Sequence, residues 1–259
     1  MLLVLDVGNT HTVIGLYDND RLVHDWRIHT ETRLTDDELD LIVSRFFRKA
    51  GIESSVVGQT VVSCVVPPLA GAIQSYCRKY LGHEPDWISH KTVDMPVLLK
   101  NPAEVGADRL VNAIAAYEKY RCALVIIDFG TATTFDCISG SGAYMGGAIA
   151  PGIGISAEAL FAKASKLPRV ELIDVPERAI GRETVESMKS GLLFGYTDMV
   201  DGMVRRISRE METPPKVIAT GGFGVLLQRL SETIEAVEPG LTLEGLRILA
   251  RKIASKRVG

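Results

Sequence analysis

Four cysteines are few for 259 residues, and Cys64, Cys77, Cys122 and Cys137 show no Cys-x-x-Cys spacing and no adjacent histidine. A zinc site and a disulfide framework are therefore not expected, and buried reduced thiols fit an intracellular, cytoplasmic chain. The five histidines, His11, His24, His29, His83 and His90, form no ligand spacing either. Charge of one sign is also scarce. With 29 Lys and Arg against 32 Asp and Glu the net charge is −3, which argues against a nucleic-acid partner held by bulk positive charge. Arg205, Arg206 and Arg209 cluster, but Glu210 and Glu212 follow them, as on a solvated helix face. Long apolar runs are missing as well. The first one is broken by Asp6 and has no basic stretch before it, so neither a signal peptide nor a membrane span is expected.

What is present is a pattern that occurs twice. Leu2-Leu3-Val4-Leu5 runs into Asp6-Val7-Gly8-Asn9-Thr10, and Leu124-Val125-Ile126-Ile127 runs into Asp128-Phe129-Gly130-Thr131-Ala132. Each is an apolar run of strand length ending in Asp-x-Gly and small polar residues. Strands are predicted to follow over Thr12–Tyr17 and Arg21–Ile28, and over Thr133–Ile138 and Ala143–Ile149. Such a duplication predicts two related domains, 1–118 and 119–259, that turn their Asp-x-Gly segments toward a shared cleft. Glycine lets the backbone approach a ligand closely. The amides and hydroxyls of Asn9, Thr10, Thr12, Thr131 and Thr133 could then donate to phosphate oxygens, with Asp6 and Asp128 placed to hold a cation.

Between these copies, Thr35 and Glu38 predict a capping box, with a helix behind them that ends at Gly51. A strand is predicted over Gln59–Val66, a helix over Leu69–Leu81 and a short strand near Trp87-Ile88. Hairpin strands followed by alternating helix and strand imply an α/β fold of mixed sheets with flanking helices. Asn101–Lys119 reads as a loop entering an alanine-rich helix. Helices are predicted from Pro151-Gly152 through Leu167 and from Arg182 to about Met211. Val185, Met188, Leu192, Met199 and Met203 give the longer one a core stripe. Gly191 and Gly195 within it suggest close helix packing, inside the fold or across a dimer. A third glycine-rich turn, Thr220-Gly221-Gly222, follows the short strand Lys216–Ala219.

The two Asp-x-Gly turns and Thr220-Gly221-Gly222 resemble the two phosphate motifs and the adenosine motif of the actin-like ATPase superfamily. Asn101-Pro102-Ala103-Glu104-Val105-Gly106-Ala107-Asp108-Arg109, together with Val62–Pro67 and Leu241–Leu246, narrows this. These segments resemble the type III pantothenate kinases along essentially the whole chain. The resemblance implies two duplicated actin-like (ribonuclease H-like) domains with a nucleotide cleft between them. It implies phosphorylation of pantothenate by ATP, the first step of coenzyme A synthesis. It also implies a homodimer, Mg²⁺ with the nucleotide, and a monovalent cation, K⁺ or NH₄⁺.

Carried over residue by residue, Asp6, Val7, Gly8, Asn9, Thr10, His11, Thr12 and Val13 would line the ATP phosphates, and Gly130, Thr131, Gly221 and Gly222 would contact ATP. Asp128 would help bind the monovalent cation. Gly106, Ala107, Asp108 and Arg109 would hold pantothenate, with Asp108 as proton acceptor and Thr184 as a further contact. Thr184 could equally cap the helix it begins, and the His11 imidazole is expected to face solvent. Leu99 departs from the tyrosine that many members carry there. Two other readings are a kinase of the same superfamily acting on a sugar or hydroxylated acid, and a non-catalytic regulatory relative. The presence of Asp6, Asp108, Arg109 and Asp128 favours an enzyme.

Overall fold

The computed structural model describes residues 1–258. The duplication is visible strand for strand. In the first half, β1 (Leu2–Val7) pairs antiparallel with β2 (His11–Asp18), which pairs with β3 (Arg21–His29). On its other side β1 lies parallel to β4 (Gln59–Cys64), and β4 lies parallel to the two-residue β5 (Asp86–Trp87). In the second half β6 (Leu124–Phe129) is flanked by the antiparallel β7 (Ala132–Ile138) and β8 (Tyr144–Pro151). Its parallel neighbours are β9 (Lys216–Gly221) and the short β10 (Ala236–Val237). The orders β3-β2-β1-β4-β5 and β8-β7-β6-β9-β10 are therefore the same.

The helices follow from local signals. Helix α1 (Asp36–Ala50) opens on the Thr35–Glu38 capping box and ends at Gly51 in the left-handed conformation. The stretch expected as one helix over Leu69–Leu81 is composite. Pro67–Leu69 forms a 3₁₀ turn, α2 spans Ala70–Tyr76, and Cys77–Leu81 widens into a π-helical turn. Helix α3 (Ala107–Tyr120) buries Ala113, Ala115 and Ala116. Helix α4 (Ile153–Lys163) stops short of Leu167, and α5 runs over Thr184–Glu210. Met188 and Leu192 of the expected stripe are buried, whereas Val185 is exposed. An added Cβ on Gly191 or Gly195 would meet nothing within 4 Å, so no close helix neighbour lies over them among the described residues. A short helix, α6 (Gly224–Gln228), and α7 (Leu241–Val258) complete the chain.

Two compact units result. The first comprises Met1–Met95, Leu99–Glu118 and the stretch from Leu241 onward; the second comprises Pro96–Leu98 and Lys119–Gly240. The C-terminal helix, expected with the second half, groups with the first. The Thr242 hydroxyl donates to the Asn112 side chain at 2.8 Å, and Arg247 pairs with Glu244 at 2.6 Å and with Asp20. Pro96–Leu98 joins the second unit because its ends bracket Tyr144 with backbone hydrogen bonds, Leu98 N donating to Tyr144 O and Tyr144 N donating to Pro96 O, both at 2.8 Å. Each unit has its own core. In the first, Leu3, Leu5, Ile14 and Val62 pack with Leu39, Val43 and Phe47; in the second, Val125, Ile127 and Phe135 pack with Leu193, Val200 and Val217. No helix among the described residues is long and apolar enough to cross a membrane.

Helix α7 reaches α3 only because residue 245 has no side chain. A Cβ there would overlap the Val111 carbonyl oxygen and crowd its Cγ1. Gly245→Ala gains up to ~1 kcal/mol of helix propensity but forces overlap against backbone, which costs about 1–3 kcal/mol. The expected outcome in chemical denaturation is a net loss of stability. A variant as stable as the parent would show that α7 does not press on α3.

Candidate active site

The first Asp-x-Gly turn joins β1 to β2. The Gly8 amide donates to His11 O at 3.1 Å, which closes the turn on itself. Asn9 and Thr10 are exposed at its tip, while the Val7 side chain is in the core. The second turn repeats this, with the Gly130 amide donating to Ala132 O at 3.2 Å and Thr131 exposed. In both copies the residue after the third strand ties back to the turn: Thr30 N donates to Thr10 O at 3.0 Å, and Gly152 N to Thr131 O at 3.1 Å.

The hydroxyls of Thr12 and Thr133, expected on phosphates, are instead buried and used internally. The Thr30 hydroxyl donates to Gly8 O at 2.7 Å, so it accepts from Thr12 Oγ1 at 3.0 Å. The Tyr196 hydroxyl lies 2.9 Å from Pro151 O and 2.5 Å from Thr133 Oγ1; with one proton, it donates to the carbonyl and accepts from the threonine. Each turn is thus held by a hydroxyl relay. Thr30 and Tyr196 were not legible as site residues, since their partners lie 22 and 63 positions away. His11 also differs from expectation. Its ring is half-buried and lies 5.1 Å from that of His29, and burial first, then Arg27 and His29, lowers its pKa.

Within the first unit the substrate-type motif sits beside this turn. Val65 connects them: its amide donates to Val7 O at 3.0 Å, and its Cγ1 stands 3.6 Å from where a Cβ on Gly106 would lie. Asn101 Oδ1 accepts from Ala103 N at 3.3 Å and caps the 3₁₀ turn Pro102–Glu104. Gly106 follows, and Ala107, Asp108 and Arg109 form the first turn of α3. The Asp108 carboxylate folds back over Gly106 and accepts the Arg109 amide at 2.8 Å. Burial raises its pKa above the ordinary 3.8, outweighing the opposing pull of that amide and of the Arg109 guanidinium. A carboxylate held this way is a stronger base than one in water.

In the second unit Asp128 Oδ1 and Phe129 O converge over Gly221, lying 2.7 and 2.6 Å from where its Cβ would be. Gly221 has φ +86°, so a side chain there is excluded by conformation as well as by space. One carboxylate beside one carbonyl suits a weakly demanding cation with oxygen ligands. No group of three or more His, Cys, Asp or Glu among the described residues could hold a metal ion. Gly222 is exposed in the turn after β9. Thr184 lies elsewhere in this unit, exposed at the first position of α5, where Glu183 is the N-cap. It lines an open pocket of about 530 Å³ with Leu167, Arg182 and Ser187.

A family model described as type III pantothenate kinase matches residues 2–206. A type III pantothenate kinase of Desulfatibacillum aliphaticivorans is 57% identical over 256 residues, covering 98% of this chain and 100% of its own. The type III pantothenate kinase of Geobacter sulfurreducens is 52% identical over 251 residues, covering 96% and 98%. Among solved structures, the activator of 2-hydroxyisocaproyl-CoA dehydratase from Clostridium difficile with bound ADPNP superposes with a TM-score of 0.59. It is 14% identical and covers 100% of this chain and 97% of its own. An inorganic polyphosphate/ATP-glucomannokinase from Arthrobacter sp. strain KM gives 0.52 at 15% identity, covering 98% of each chain. These two likenesses support the duplicated α/β fold.

Thr30→Val removes the hydroxyl at nearly constant volume and leaves the Gly8 carbonyl and the Thr12 hydroxyl without it. A loss of about 1–3 kcal/mol is expected, with faster hydrogen exchange at the Gly8 and Thr10 amides. Thr30→Ser should restore both. Unchanged exchange in Thr30→Val would show that the relay does not hold the turn.

Proposed function

The chain belongs to the type III pantothenate kinase family, and we propose that it transfers the γ-phosphoryl group of ATP to the primary hydroxyl of pantothenate, giving 4′-phosphopantothenate for coenzyme A synthesis. The observation that carries the assignment of residues is the base-strengthened Asp108 beside Arg109, set next to a phosphate-type turn in one unit. Asp108 accepts the hydroxyl proton as the substrate oxygen bonds to phosphorus and the bond from phosphorus to the ADP oxygen breaks. Arg109 pairs with the pantothenate carboxylate through its planar fork. Gly106 and Ala107 bring backbone close to the substrate, and Thr184 is a further pantothenate contact.

The amides of Asn9 and Thr10 donate to phosphate oxygens in the first unit, with Gly8 and His11 shaping the turn behind them, and in the second unit Gly130, Thr131, Gly221 and Gly222 are ATP contacts. Val7, Thr12 and Val13 contribute as backbone and as support. Asp6 would hold the Mg²⁺ that accompanies the nucleotide, and that ion would supply charge neutralisation. Asp128 with the Phe129 carbonyl holds K⁺ or NH₄⁺. We further propose a homodimer that works in the cytoplasm. The reading of Asp6, Asp108, Arg109 and Asp128 as functional residues also disfavours a purely regulatory relative.

Asp108→Asn is expected to lower turnover at least ~10²-fold, a typical general-base contribution. Because the folded state raises this pKa, ionised Asp108 opposes folding at neutral pH. The variant should therefore melt at an equal or higher temperature. In the parent, the rate should fall as pH drops through a value above 3.8, since protonation removes the base. Near-normal turnover in Asp108→Asn would remove Asp108 from this role. Activity should also require K⁺ or NH₄⁺, and full activity in Na⁺-only buffer would count against a cation at Asp128.

A further inference from the structure

Ser63 is fully buried near the end of β4, and its hydroxyl has no hydrogen-bond partner among the described residues. A hydroxyl taken from water and left unpaired carries its desolvation cost uncompensated, and in a native fold such a group calls for an explanation. The duplication supplies an internal comparison. Ser63 stands beside Asp6 in the parallel register of β1 and β4, as Thr220 stands beside Asp128 in that of β6 and β9. Thr220 is also buried, but its hydroxyl donates to Glu238 O at 2.8 Å. The residue equivalent to Glu238 is Ile88: Ile88 N donates to Val62 O at 2.9 Å, as Glu238 N donates to Ala219 O at 2.7 Å. Ser63 does not take the Ile88 carbonyl. Without the methyl group that stiffens threonine, it is free to turn elsewhere.

The register points to where it turns. Residues side by side on parallel strands project to the same face, about 4.8 Å apart, so the carboxylate next to Ser63 is that of Asp6. Two residues further on, Val65 bonds to Val7 O and packs toward Gly106, so the segment underlies both motifs of the first unit. We propose that Ser63 is a positioning residue for Asp6: with Mg-nucleotide bound, its hydroxyl donates to the Asp6 carboxylate and fixes the orientation in which that carboxylate meets the cation's water shell. This rests on the nucleotide reading given above.

The test is calorimetric binding of MgADP and of pantothenate to the purified full chain, with melting of the ligand-free protein alongside. Ser63→Ala should bind MgADP about tenfold more weakly, as for loss of a hydrogen bond to a charged group. Pantothenate affinity should be unchanged, and the ligand-free melting temperature equal or higher, because an unpaired hydroxyl is removed. Ser63→Ala should have no further effect in an Asp6→Asn background. Unaltered MgADP affinity in Ser63→Ala, or additive effects in the double variant, would overturn the inference. So would a lower ligand-free melting temperature, which would place the hydroxyl on Ile88 O as Thr220 is placed on Glu238. If the parent bound no MgADP, the nucleotide reading itself would fail and this inference with it.

Discussion

Both halves of the chain depend on one constraint, the in-register pairing of a central strand that is antiparallel to one neighbour and parallel to the other. For β1 those neighbours are β2 and β4, and for β6 they are β7 and β9. The antiparallel side permits a tight turn at the strand's carboxyl end, and the parallel side brings a second strand end to the same edge. Asp6 and Asp128 stand at that edge because the apolar residues before them fill the two cores. A slip of one residue would exchange the faces and bury the carboxylates' neighbours on the wrong side. Ligands of open α/β sheets gather at this carboxyl edge, and the chemistry proposed for this chain uses it in both units.

Rigid turns and a costly charge complement one another here. The proposed phosphate cradle of amides requires turns that are held before the ligand arrives, and the hydroxyl relays through Thr30 and Tyr196 hold them from the inside. Asp108 is the reverse case. Its burial makes the ionised form less stable than in water, so the group proposed as the base is one the fold holds at a cost.

Much of this was legible in the sequence because it is local. Asp-x-Gly after an apolar run, the Thr35–Glu38 box and the Asp-Arg pair at the start of an alanine-rich helix each need only a few consecutive residues. The remainder depends on register and on chain return. Thr30 bonds to Gly8 and Tyr196 to Thr133 through sheet geometry that no short window contains. The grouping of α7 with the first unit rests on Gly245 meeting Val111, a contact between segments more than a hundred residues apart. The composite helix after Pro67 has a different origin, since the change from α2 to the π-helical turn at Cys77–Leu81 is one of hydrogen bonding that no residue type marks.

The central claim is that this site phosphorylates pantothenate and not another hydroxylated molecule. The most direct measurement gives the purified protein MgATP and K⁺ with pantothenate, a hexose and a simple hydroxy acid in one mixture, and identifies the phosphorylated product by mass. 4′-Phosphopantothenate is the expected dominant product. A phosphorylated hexose or hydroxy acid in its place, or ATP bound with no phosphoryl transfer to any of the three, would contradict it.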